Sequence, residues 1–264
     1  MSALAAAVLA ALAGLLFGSF ANVVIHRVPR GESVVSPPSA CPACGARIAA
    51  CDNVPVLGWL LLRGRCRLCR APIPVVYPLV ELAMAALWAL VAAQLWPDHP
   101  WAVPAYLALA FACLVLTVID ARTRRLPDAI TKPTFVVVLA LLALATVAEG
   151  EPGRLGRGLL AAGLVGGLFW AIAKARPAWV GRGDVKLVPT LALGLGWLSW
   201  SALIVGFYAA FLVGGVAGLW AMIVLRRSRK SSLPFGPSLA IGTVVGVLAT
   251  GQVAAWYGHL LLGG

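Results

Sequence analysis

The fold this sequence predicts is an all-α polytopic membrane protein of about eight transmembrane helices, with a small cytoplasmic loop domain after the first helix. Three observations predict it. Charged residues make up 11% of the 264, against about 25% in soluble domains, and the mean hydropathy is +0.95. Apolar segments recur at about 3–25, 77–96, 101–119, 129–148, 155–173, 187–200, 201–225 and 237–262. Most are near the roughly 20 residues that cross a bilayer as a helix. The Lys and Arg residues, finally, lie almost entirely in alternate loops.

The first segment reads as a retained helix. A cleavable leader puts its basic residues ahead of the apolar run, whereas here the first positive charge, Arg27, follows it. From Leu187 to Leu225 there are 39 residues without a charge. At 1.5 Å per residue that is about twice a 30 Å hydrocarbon core, so two helices are expected there. The break is placed near Trp197-Leu198-Ser199-Trp200, whose paired tryptophans suit a membrane interface. Gly163, Gly166, Gly167, Gly214, Gly215 and Gly218 read as small residues that let helices approach.

Loop 26–76 carries Arg27, Arg30, Arg47, Arg63, Arg65, Arg67 and Arg70. Arg122, Arg124, Arg125 and Lys132 come next on that side. Lys174, Arg176, Arg182 and Lys186 follow, then Arg226, Arg227, Arg229 and Lys230. Only Arg154 and Arg157 of the 21 basic residues fall on the other side. Because basic loops stay in the cytoplasm, both chain ends are expected outside and loop 26–76 inside. The net charge of +12 therefore reads as topology, and nucleic acid is not an expected partner. The chain divides into a first helix (1–25), a cytoplasmic loop domain (26–76) and a helical membrane domain (77–264).

Within the loop, Cys41-Pro42-Ala43-Cys44 is followed by Cys66-Arg67-Leu68-Cys69. Two such knuckles at this spacing suit one tetrahedral Zn²⁺ held by four thiolates. The alternative is two disulfides, which a reducing cytoplasm disfavours. Four protein ligands leave no position for water, so the metal is structural, and it explains how so small a loop folds. Cys51 reads as a free thiol and Cys113 as helix packing.

Most of the nine acidic residues have ordinary readings. Asp98, Glu149 and Glu151 are expected to be solvated in outside loops, and Glu32 and Asp52 belong to the cysteine loop. Asp128 suits a helix N-cap, and Glu81 lies one turn into the second span, facing a neighbour. Asp120 ends the third span and Asp184 begins the sixth, which the alternation places at one depth on the cytoplasmic face. Each has two readings: an ion pair with Arg122 or Arg124 and with Lys186, or a functional carboxylate at the membrane boundary. Two close carboxylates in a partly dry site share a proton, so one can activate water while the other protonates the leaving amide.

In order, these motifs are "FGSFANVVIHRVPRGESVV" at 17–35, the two knuckles, "DNVPVLGWLLLRGRCRLCRAPIPVVYPLVEL" at 52–82, "IDARTRRLPD" at 119–128 and "GRGDVKL" at 181–187. Together they resemble the type IV prepilin peptidases, bacterial membrane aspartyl proteases with a G-x-G-D signature. The resemblance implies that Asp120 and Asp184 are the catalytic pair. It implies as substrates the N-terminal leaders of prepilins and pseudopilins, cut after a glycine at the cytoplasmic face of the inner membrane. It further implies N-methylation of the new N-terminus with S-adenosylmethionine as donor, although no glycine fingerprint of a donor site stands in the sequence. Cys51 departs from the aromatic residue expected there. Three other readings are a peptidase without methyltransferase activity, a transporter, and a non-enzymatic membrane assembly factor. Transport sites lie near the midplane, away from such boundary aspartates.

Overall fold

The computed structural model describes residues 1–176, 181–224 and 235–262, with 250–262 as helical backbone alone. Nine α-helices follow one another among these residues: α1 Ala3–Arg27, α2 Leu57–Leu61, α3 Val76–Leu95, α4 Val103–Thr123, α5 Asp128–Glu149, α6 Pro152–Ala175, α7 Arg182–Leu198, α8 Trp200–Ile223 and α9 Gly236–Leu262. There is no strand among the described residues; Ala40 and Arg47, and Arg65 and Pro72, form isolated bridges. Helices α1, α3, α4, α5, α6 and α8 are long and apolar enough to cross a membrane. The chain is thus an all-helical integral membrane protein, with eight long helices where the sequence places them. The basic stretch Arg226, Arg227, Arg229 and Lys230 lies outside the described residues.

Two compact units make up the chain, Met1–Pro97 and Asp98–Gly264. In the first, α1 packs along α3. Cβ atoms on Gly14 and Gly18 would reach within 2.8 and 2.6 Å of the backbone Cα atoms of Ala85 and Glu81, so glycine permits the close approach. In the second, α7 touches α4, α5, α6, α8 and α9. Every residue from Thr190 to Leu198 is buried. At 17 residues α7 spans only about 26 Å, somewhat short of a hydrocarbon core, which suits a helix wrapped by protein. Outer helices show the reverse: Leu164 and Leu168 on α6 and Ile204, Tyr208 and Val216 on α8 are exposed. An apolar exterior of this kind is a surface for lipid.

The expected break between α7 and α8 falls at Ser199, whose extended backbone (φ −169°, ψ 164°) stops one helix and whose hydroxyl accepts the Ala202 N–H to start the next. Trp197 corrects the interfacial reading, being fully buried. The glycine reading divides. Gly166 meets Pro189 and Gly214 meets Phe235, but Gly163, Gly167 and Gly215 face open space.

Candidate active site and metal centre

Asp120 and Asp184 stand 64 positions apart and come from two helices of the second unit. Asp120 closes the last turns of α4, and Asp184 lies in the first turn of α7. Both are buried, at 6% and 7% exposure. The charge of Asp120 acts on Asp184, so the two carboxylates lie within electrostatic range of each other. Neither forms an ion pair among the described residues, although the Arg124 charge still acts on Asp120. Lys186 instead pairs with Asp128, which Lys132 also holds at 3.0 Å. That corrects Asp128 as well: the N-cap position is Pro127, and Asp128 is the first helical residue, tied to two lysines.

Backbone N–H groups are what the two aspartates receive. Gly181, at the N-cap of α7, turns its N–H to Asp184, the reach-back of a capping box. Gly236, opening α9, turns its N–H to Asp120. Both glycines leave room for these carboxylates: a Cβ on Gly181 would lie 2.8 Å from Asp184 Oδ2, and one on Gly236 would lie 2.8 Å from Asp120 Oδ2, so either would push its carboxylate aside. Gly183 abuts Leu126, whose side chain fills the room a Cβ would take (2.7 Å), so that glycine docks α7 on the α4–α5 loop. Sequence reasoning missed Gly236. Its signal is the Phe235-Gly236-Pro237 turn before an apolar run, a helix start with no mark of where it docks.

A second polar cluster occupies the opposite end of α4 and α7. Tyr106 donates to the Gly194 carbonyl at 2.7 Å, and Trp197 Nε1 donates to Thr146 Oγ1 at 2.8 Å. Arg157 donates to the carbonyls of Gly196, Trp197 and Leu198 at 2.6, 2.6 and 2.8 Å, closing the C-terminus of α7. His99 bridges Glu149 (3.0 Å) and Arg154 (3.2 Å). Glu149 is therefore not solvated; 10% of its side chain is exposed.

In the first unit the knuckles repeat one backbone plan. Cys41 N–H bonds to the Ala46 carbonyl (2.9 Å) as Cys66 N–H bonds to that of Ala71 (2.8 Å). Gly45 N–H returns to Cys41 as Arg70 N–H returns to Cys66. Gly45 and Arg70 are both left-handed, φ 71° and 59°, a conformation that costs a non-glycine residue about 1–2 kcal/mol. The four Sγ atoms of Cys41, Cys44, Cys66 and Cys69 lie within 4.8 Å of one another. Zinc–thiolate bonds of about 2.3 Å put sulfurs about 3.8 Å apart across a tetrahedron. Cys41 and Cys69 Sγ are 3.8 Å apart, so the cluster can hold such an ion. Backbone N–H groups of Cys69 and then Leu68 hold the Cys66 thiol down at about 6, while the Cys69 thiol, although the Ala71 N–H lowers it, is pushed up to about 11 by burial and the neighbouring thiols. Arg67 pairs with Asp52, its Nε 2.8 Å from Oδ2, and this holds that carboxyl below its usual range. Cys51 stands outside the cluster, near Asp52, and Cys113 is buried on α4 as expected of packing. Glu81, buried on α3, accepts the Val56 N–H at 2.7 Å and so ties the loop to that helix.

Comparisons with known proteins cover both units. The bacterial peptidase A24 N-terminal domain matches residues 12–95, and the type IV leader peptidase family matches residues 107–248. A protein of Aeromonas hydrophila named prepilin leader peptidase/N-methyltransferase is 36% identical, over 93% of this chain and 91% of its own. Proteins of the same name from Burkholderia pseudomallei (strain K96243) and Neisseria gonorrhoeae are each 35% identical. They cover 95% and 88% of this chain and 86% and 87% of their own lengths. No solved structure matches the chain.

Proposed function

This chain belongs to the type IV leader peptidase family, and from that premise we propose that it cuts the leader from prepilins and pseudopilins at the cytoplasmic face of the bacterial inner membrane. The observation that carries the proposal is that Asp120 and Asp184 are two buried carboxylates within electrostatic range of each other, and neither is taken up in an ion pair among the described residues. One carboxylate takes a proton from water as the water oxygen adds to the scissile carbonyl carbon. The other gives its proton to the amide nitrogen, and the C–N bond breaks. The leader departs with a new carboxylate and the mature protein with a free amine.

The second half of the proposal is N-methylation of that amine, S-adenosylmethionine supplying the methyl group. The relatives' names support this half. Cys41, Cys44, Cys66 and Cys69 hold one structural zinc ion, which fastens the loop where apolar burial is scarce.

The test is mass analysis of a prepilin incubated with membranes containing this protein and S-adenosylmethionine. A product lacking the leader and heavier by one methyl group is expected. An unmethylated product would remove the second half, and an uncut prepilin the whole. Purified protein is expected to hold about one zinc per chain, unchanged by Cys51→Ser. Metal-free native protein with Cys41–Cys44 and Cys66–Cys69 disulfides contradicts the metal site.

A further inference from the structure

The cysteine loop carries more cationic side chains than its knuckles need. Arg63, Arg65, Arg67 and Arg70 are exposed and, with Leu61 and Leu62, line an open cavity of about 700 Å³. Asp52 neutralises Arg67, while Arg63, Arg65 and Arg70 have no acidic partner among the described residues. Arg63 and Arg70 both hold left-handed backbone, φ 53° and 59°. At the position matching Arg70 the other knuckle has Gly45, which adopts that conformation without cost. A strained arginine where glycine suffices points to use of the guanidinium.

Beside the arginines lies apolar surface. The short helix α2 exposes Leu57, Leu60 and Leu61 at 57%, 55% and 81%, and Leu68 is exposed at 71%. Exposed leucines at this density in a segment that also carries several arginines are the composition of an interfacial element.

Depth decides the partner. Val56, immediately before α2, bonds to Glu81 in the second turn of α3, a helix apolar enough to span the membrane. Trp59 Nε1 bonds to the Ile73 carbonyl at 3.0 Å, holding α2 to the segment that leads into α3. Arg70 is six residues before α3 begins, a reach of at most about 20 Å. The exposed leucines and the unpaired arginines are therefore fastened where α3 enters the bilayer. We propose that this face of the cysteine loop docks on the membrane itself, Leu57, Leu60 and Leu61 entering the interface and Arg63, Arg65 and Arg70 binding the phosphates of anionic lipids. The partner is a lipid surface because both ends of the loop run into membrane helices and Leu61 and Leu62 share one cavity with the arginines. The docking is separate from the chemistry of the aspartates.

Hydrogen exchange of the full chain tests it, in nanodiscs of neutral phosphatidylcholine and in nanodiscs rich in anionic phosphatidylglycerol. Amides of 57–70 are expected to exchange roughly a hundredfold more slowly in the anionic discs, as about 1 kcal/mol for each of the three arginines implies. The slowing should vanish in the combined Arg63→Gln, Arg65→Gln, Arg70→Gln variant and weaken at high salt. Equal exchange of the wild-type protein in the two lipids overturns the proposal, whether or not the variant folds. So does equal slowing by inorganic phosphate in neutral discs, which would mark a small-anion site, or slowing that needs an added acidic peptide, which would mark a protein partner.

Discussion

At one end of the second unit, Tyr106, Thr146, Arg157 and Trp197 direct their hydrogen bonds to one another and to backbone carbonyls. At the other end Asp120 and Asp184 receive backbone N–H groups from Gly236 and Gly181. The same two helices, α4 and α7, supply both ends. A carboxylate offers about four acceptor sites, so each aspartate keeps capacity for water or substrate, while Arg157 binds three carbonyls. The first arrangement fixes where α7 stops. The second fixes two acids without using them up, which is what the catalytic role proposed for them requires.

Apart from the two aspartates, the largest loss is expected at Gly236. Gly236→Ala places a methyl group against Asp120 Oδ2 and moves the carboxylate off its N–H donor. Prepilin cleavage is expected to lose about two orders of magnitude in kcat with KM little changed, the sign of an interaction made in the transition state. Gly215→Ala, on open space, is the control and should cut normally. A mutant Gly236→Ala that cuts at the wild-type rate would break the comparison at its chemical end.

A smaller effect, of another kind, is expected at the structural end. Arg157→Ala strips the last carbonyls of α7 of their donor, and about 2–3 kcal/mol of stability should go with it. Thermal unfolding in detergent should show a lower Tm, while kcat per folded molecule stays near wild type. Loss of kcat without loss of Tm would mean that the two ends are not separate in role.

The smallest effect belongs to Asp128. The side chains of Asp128 and of its partners Lys132 and Lys186 are all exposed, so an amide there should leave Tm nearly unchanged. Asp128→Asn should retain at least about a third of the cleavage rate, since a loss that small leaves α7 in place.

Much of this was readable in the chain. Helix positions follow from runs of apolar residues, and the four-cysteine cluster from spacing within one loop, because both are local. Asp120 and Asp184 stood out as acids at the ends of apolar segments. Gly236 did not, because its role depends on where the start of α9 lands against α4. Lys186 misled for the same reason: two residues from Asp184, it looks like that acid's partner, but the helix turns it toward Asp128. Trp197 and Glu149 read as interface and solvent residues because sequence gives depth better than facing. Docking put one in the core and left little of the other exposed.

The central claim is that Asp120 and Asp184 work as one unit. Its most direct test compares single-turnover cleavage of a prepilin by Asp120→Asn, by Asp184→Asn and by the double variant, each checked for normal membrane insertion and zinc content. Both single variants should fall to background, by roughly 10⁴-fold or more, and the double variant should be no slower than either, because members of one catalytic unit are not additive. A well-inserted single variant that still cuts near the wild-type rate would contradict the account.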